Sequence, residues 1–340
     1  MFKGKAKLVF AASALALSML VTGCGGDKKD AKPAQGKTTV LKVSFNQSDK
    51  HPQFVALTEM SKKLEEQTKG AYKLDIQPNE LLGNQKDSFE LVQAGTIQMA
   101  VVGNPIVEVV NKDFAAIGLP YVYDSQAHQR KVFTSGILKD LFASTEKNNF
   151  NVLGAFTAGA RSVYTDKEIK TPDDLKGYKI RVMQSPTMIK MLNAMGGVGT
   201  PMGQGEVYTA IQQKTINGGE NNEITYADLK HYEVAKVFSN TRHLMVPDLI
   251  IINSKTYKDM PADVRATFDK LMAETVNREF DLWDQQIETA KKVAMDKGAK
   301  FVEVDIKPFQ ANCAPLAEEV TKTSPTAKKV YDSIRAAAKQ

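Results

Sequence analysis

The regular alternation of short apolar strands with helices that end on glycine constrains this chain more than any other feature. Lys42-Val-Ser-Phe45 opens as a strand, and residues 54–67 place Val55, Leu57, Met60 and Leu64 at helical spacing. Gly70 stops that helix, and Tyr72-Lys-Leu-Asp-Ile76 alternates as the next strand. Residues 87–94 form a second helix closed by Gly95, and Ile97–Val102 is an apolar run suited to a buried parallel strand. Helices follow over 126–133 and 138–148, then a strand over Val152–Phe156. A second set of strands and helices covers 161–244, with a strand near 242–245, and residues 247–253 read as a strand returning to the first sheet. This is the pattern of an α/β protein with parallel sheets. From Ala262 to Lys297 there is neither proline nor glycine, and the apolar positions keep helical spacing. One helix there would have about 36 residues and span about 54 Å; two helices broken near Glu279 are the other reading.

The N-terminus fixes the compartment. Lys3, Lys5 and Lys7 precede an apolar core from Leu8 to Val21 that is shorter than the ~20 residues a membrane span needs, so residues 1–23 read as a secretory signal. Val21-Thr-Gly-Cys24 resembles a lipobox, with Cys24 as the lipidated mature N-terminus. Residues 24–37 are polar and read as a disordered tether. The signal carries three lysines and no acid, so the formal charge of +6 falls to +3 on its removal. Acids and bases are interleaved, which leaves no basic patch for nucleic acid. With Cys24 assigned to lipid, Cys313 is alone; no internal disulfide is available, and a buried, inert thiol is expected.

No catalytic signature occurs: there is no GxSxG, HExxH, CxxC or P-loop. His51, His128, His231 and His243 are scattered without metal-ligand spacing, so neither metal nor cofactor is expected. Asp173-Asp174 sits at a helix start, where the dipole favours acids, and Gly196-Gly-Val-Gly199 reads as a tight turn. The stretch 161–222 points instead to binding. Thr171 reads as an N-cap with Pro172 at the first helical position, and Gly177 ends that turn. Tyr178-Lys-Ile-Arg-Val182 then alternates as a strand, which puts Arg181 near a strand C-terminal end, where ligands of open α/β sheets bind. A planar, permanently charged guanidinium suits a carboxylate.

These segments resemble the DctP-type solute-binding proteins of tripartite ATP-independent periplasmic (TRAP) transporters. Lys179-Ile-Arg-Val182 matches the family's arginine strand, Asn217-Gly-Gly-Glu-Asn-Asn222 its ligand-binding turn, and Pro201-Met202 with Glu206-Val-Tyr208 the run between them. The resemblance extends from about residue 38 to the C-terminus. It implies a two-domain periplasmic-binding-protein-like fold with a cleft between domains and one long helix spanning both. The domains would be 38–158 with 247–285, and 159–246 with 286–340. It further implies that Arg181 grips a substrate carboxylate, assisted by Arg161 and Asn221. Asn46, Gln47, Gln85, Asn104 and Gln204 are the further ligand-contact candidates; His51 is read as packing beside Pro52. Sialic-acid-binding members carry a glutamate where this chain has Gly103 and an aromatic where it has Gln204, which argues against sialic acid. The many amides favour a uronate or other sugar acid, with a C4-dicarboxylate as the alternative ligand. The receptor would be extracytoplasmic, lipid-anchored, and partnered by a TRAP permease. An ABC-type binding lipoprotein, a secreted lipoprotein enzyme and a sensing partner for a membrane receptor are the other classes.

Overall fold

The computed structural model describes residues 38–339; the signal, Cys24 and the tether lie outside the described residues. In chain order the strands are β1 (Thr39–Ser44), β2 (Tyr72–Gln77), β3 (Met99–Gly103), β4 (Phe150–Thr157), β5 (Arg161–Thr165), β6 (Lys179–Val182), β7 (Val198–Pro201), β8 (Gly218–Asn221), β9 (Val237–Leu244), β10 (Pro247–Asn253) and β11 (Lys300–Glu303). They form two sheets, ordered β2-β1-β3-β10-β4 and β11-β9-β5-β8-β6-β7. The expected mixed α/β architecture with two sheets is therefore present. Strands β1, β2 and β3 are parallel, whereas β10 returns antiparallel between β3 and β4. The chain crosses between the sheets three times, from β4 to β5, from β9 to β10 and, through a long helix, from β10 to β11.

One unbroken helix, Ala262–Asp296, serves both sheets. Phe268, Leu271, Met272, Val276 and Phe280 join the core containing Leu41, Val43 and Ile250 of the first sheet. Trp283, Ala290 and Ala294 join the core of Tyr164, Tyr226 and Phe238 beneath the second. The single long helix is thus present, and the alternative break near Glu279 does not occur. The last two helices reach elements of both sets. Helix Lys307–Thr323 packs on Pro186–Ala194, and helix Pro325–Ala337 packs on Lys112–Gly118 and Gln126–Thr134, which precede β4. Cys313 is buried, and its thiol is pushed up to about 12 by that burial.

Two local departures have identifiable causes. The expected helix over 138–148 stops at Ala143, because the Ser144 and Thr145 hydroxyls bond the carbonyls of Leu141 and Phe142 at 2.6 and 2.7 Å. Strand β9 begins five residues before the expected position. Its inward-facing Ser239 and Thr241 break the apolar alternation; their hydroxyls accept hydrogen bonds from the Ile169 and Val163 amides.

The crossing after β4 is tied to the long helix. Gly159 has φ of +60°, and a Cβ there would lie 2.7 Å from Trp283 Cζ2, so both conformation and space demand glycine. Beside it, the Thr157 amide donates to Glu279 Oε2 at 3.1 Å, and Gln53 Nε2 donates to the Thr157 carbonyl at 2.8 Å. Gln129 accepts from the Thr157 hydroxyl and donates to the Met245 carbonyl on the second crossing, at 2.7 and 2.9 Å. Glu279 is fully buried, its Oε1 has no partner, and burial raises its carboxyl well above the usual range. An acid with a raised folded-state pKa stabilises most below its unfolded value, about 4.3, and that stability is lost as pH rises. Glu279→Gln keeps the neutral shape at every pH. Urea unfolding of the variant should match wild type near pH 4.5 and show greater stability at pH 8; parallel pH profiles would contradict a neutral buried Glu279.

Candidate functional site

The C-terminal ends of β1, β2 and β3 face the second sheet across a cavity of about 470 Å3 of empty space. Its second-sheet wall holds Arg161, Arg181, Gln204, Asn221 and Asn222; its first-sheet wall holds Gln47, Glu80, Gln85 and Asp248.

Strand β8 lies between the two arginine strands. β5 pairs with it so that Ser162 faces Asn221, and β6 pairs so that Arg181 faces Gly219. The two guanidiniums have different environments. Arg161 Nε donates to Glu220 Oε2 at 2.6 Å, Nη2 to Glu220 Oε1 and its carbonyl at 2.7 Å each, and Nη1 to Asn221 Oδ1 at 2.8 Å. Four of its five N–H donors are thus engaged. Burial alone would push the Glu220 carboxyl up; the Arg161 charge overcomes this and holds it at about 2. His243 Nε2 lies 3.5 Å from the same carboxylate, and burial lowers its pKa.

Arg181 has no such counterion. It is buried, its Nε donates to the Met202 carbonyl at 3.0 Å, and its two Nη groups have no hydrogen-bond acceptor among the described residues. Burial lowers its pKa, with Arg161 repulsion adding to the effect, and Glu220 and Glu80 only partly offset it. Arginine nonetheless stays charged in proteins. The result is a desolvated cation with four unused donors facing a cavity.

The polar residues around it split into two groups. Gln47 and Gln204 pair across the cavity, Gln204 Nε2 donating to Gln47 Oε1 at 2.9 Å and Gln47 Nε2 donating back at 3.3 Å; Asn46 Nδ2 reaches Gln204 Oε1 at 3.4 Å. Gln85 Oε1 accepts from the Gly103 amide at 2.9 Å. Asn221 Oδ1 is occupied by Arg161 and Asn222, which leaves its Nδ2 without a partner. Asn104 does not belong to the site. It is fully buried, donates to the Phe114 carbonyl at 2.9 Å and is absent from the cavity lining. His51 packs edge-on to Trp283, with ring centroids 5.5 Å apart, outside the lining.

Glu220, Glu80, Gln184 and Asp248 complete the surroundings of the two arginines, and the sequence reading did not single them out. Glu220 lay inside the matched turn, and an acid within an arginine-bearing strand pair was its signal. Asp248 was marked only by being the one acid in an apolar strand. Among the described residues no cluster of metal-ligating side chains occurs. Two further contacts join the walls: the Gly205 amide donates to Glu80 Oε2 at 3.2 Å, and Ser48 Oγ donates to Asp228 Oδ2 at 3.1 Å.

A two-sheet α/β receptor with an enclosed, cation-bearing cavity is the class these features define. The profile of the bacterial extracellular solute-binding protein family 7, DctP, matches residues 43–323, and the chain belongs to this family. A TRAP periplasmic solute binding protein from Anaerococcus prevotii, solved with bound D-glucuronate, is 36% identical with a TM-score of 0.86, over 89% of this chain and 99% of that one. Another from Xanthobacter autotrophicus, solved with bound β-D-galacturonate, is 29% identical with a TM-score of 0.84, over 87% and 99%. A solute-binding protein of Chromohalobacter salexigens is 30% identical over 291 residues, 84% of this chain and 85% of its own length. The protein is thus an extracytoplasmic solute-binding receptor of the TRAP type and not an enzyme.

Removing one partner of a buried ion pair costs about 3–5 kcal/mol. Glu220→Ala should therefore destabilise the protein by about that amount in denaturant unfolding at neutral pH. Since the Glu220 pKa is depressed, the difference from wild type should shrink as pH falls from about 4.3 toward 2. A loss independent of pH would contradict the ion-pair assignment.

Proposed function

We propose that the cavity receives the carboxylate of a hexuronate, or a closely related sugar acid, on the Nη groups of Arg181. The unpaired, desolvated guanidinium carries this reading, since a carboxylate accepts two parallel N–H bonds from it and cancels its charge. The glucuronate and galacturonate bound to two relatives support the ligand class. Amides of Gln47, Gln85, Gln204 and Asn221 are suited to sugar hydroxyls, with Asn46 behind them. In this reading Arg161 acts through Asn221: it occupies Oδ1 and so turns Nδ2 into the available donor.

The two sheets support a division into lobes, residues 38–158 with 247–285, and 159–246 with 286–340. The lobes close by bending at the crossings beside Gly159 and Met245 and within the long helix. Gln47–Gln204, Glu80–Gly205 and Ser48–Asp228 are the contacts that hold the closed form. Closure removes water and strengthens the ion pair.

Arg181→Ala should weaken D-glucuronate binding by about 3–5 kcal/mol in calorimetry. Because it removes an unpaired buried charge, the ligand-free variant should unfold at the wild-type temperature or above it. Unchanged affinity would overturn the carboxylate assignment. Binding of succinate without any hexuronate would overturn the ligand class while keeping the role of Arg181. We also propose a lipid anchor at Cys24, supported by the lipobox residues. Cys24→Ser should move the receptor from the membrane fraction to the soluble extracytoplasmic fraction; an unchanged distribution would remove the anchor from the account.

A further inference from the structure

Asp248 stands at the start of β10 with its carboxyl against the cavity, on the wall opposite Arg181. Its Oδ2 accepts from Gln53 Nε2 at 2.8 Å, while Oδ1 has no protein partner. Its ladder neighbour is Gly103, whose missing Cβ would lie 3.5 Å from Oδ1 and 2.2 Å from Met183 Cε. A side chain at 103 would therefore meet Oδ1 and drive Met183 out of its place. Glu80 gives the same cavity a second carboxyl, with Oε2 on the Gly205 amide and Oε1 buried without a partner. Charged or titratable groups near Asp248 are Arg161, which is satisfied by Glu220, and the buried Glu279.

The charge balance limits what fits. Arg161 and Glu220 cancel, which leaves Arg181 as the one uncompensated cation of the second-sheet wall. One carboxylate neutralises it. A second carboxylate across the cavity would meet Asp248 and Glu80, and like charges at contact distance oppose each other's ionisation. Oδ1 would also be left as a buried acceptor without a donor, the situation that lets polar sites reject ligands lacking a hydroxyl.

We propose that Asp248 is a specificity-determining residue, whose Oδ1 accepts hydrogen bonds from ligand hydroxyls and excludes a second carboxylate, so that the receptor selects polyhydroxylated monocarboxylates over dicarboxylates. This rests on the uronate reading of the same cavity. Calorimetry with D-glucuronate, succinate and D-glucarate tests it on wild type and Asp248→Asn, which keeps an acceptor for Gln53. Wild type should bind D-glucuronate at least about a hundredfold more tightly than either dicarboxylate. Asp248→Asn should weaken D-glucuronate by about tenfold or more and tighten succinate, because the new amide can donate to a carboxylate. A merely structural role for Asp248 would weaken both ligands together. Wild type that binds no hexuronate would overturn the uronate reading itself. Wild type that binds D-glucuronate, with the glucuronate-to-succinate ratio unchanged in the variant, would overturn the Asp248 assignment alone. If the variant fails to fold, equal wild-type affinity for D-glucuronate and D-glucarate overturns the proposal, and a hundredfold preference for D-glucuronate supports it.

Discussion

The buried pairing of Arg161 with Glu220 determines what the rest of the site can be. Two guanidiniums on strands flanking β8 would repel each other in a dry cavity, and the second sheet would have to hold two uncompensated charges. Glu220 removes one of them: it grips Arg161 through both oxygens and its own carbonyl. What remains is a single cation, Arg181, which lines the cavity with its Nη donors unused. The protein carries an arginine pair, yet it presents one positive charge to a ligand.

The fold brings a matching wall to that cation. Parallel strands of the first sheet deliver their C-terminal ends, with Gln47, Glu80 and Gln85, to one side, and the returning β10 adds Asp248. The two sheets share one brace, because the long helix gives its first half to one core and its second half to the other. Glu279 and Trp283 sit where it passes from one core to the other, against the strand crossing that Gly159 makes possible. Bending at this point would change the separation of the walls while leaving each core packed.

Local structure was legible in the sequence wherever one residue type forces one conformation. The glycine stops, the Arg181 strand and the unbroken helix appear as the pattern predicts, since helix spacing and left-handed turns are local properties. Arg161 and Asn221 were found as residues, but their division of labour was not: that depends on Glu220, which is 59 positions from Arg161 in the chain. Asn104 failed for the same reason in reverse. A polar residue after a strand end fits a ligand loop, yet here it ties β3 to the Phe114 carbonyl. Ser239 and Thr241 obscured half of β9, because buried hydroxyls that serve the amides of neighbouring segments look like a loop in one dimension.

A crystal structure of the receptor with D-glucuronate bound tests the central claim most directly. The account predicts the ligand carboxylate in a two-point contact with Nη1 and Nη2 of Arg181, at about 2.7–2.9 Å, while Arg161 keeps both oxygens of Glu220. A carboxylate seated on Arg161 in place of Glu220, or a ligand whose carboxylate does not touch Arg181, would contradict it.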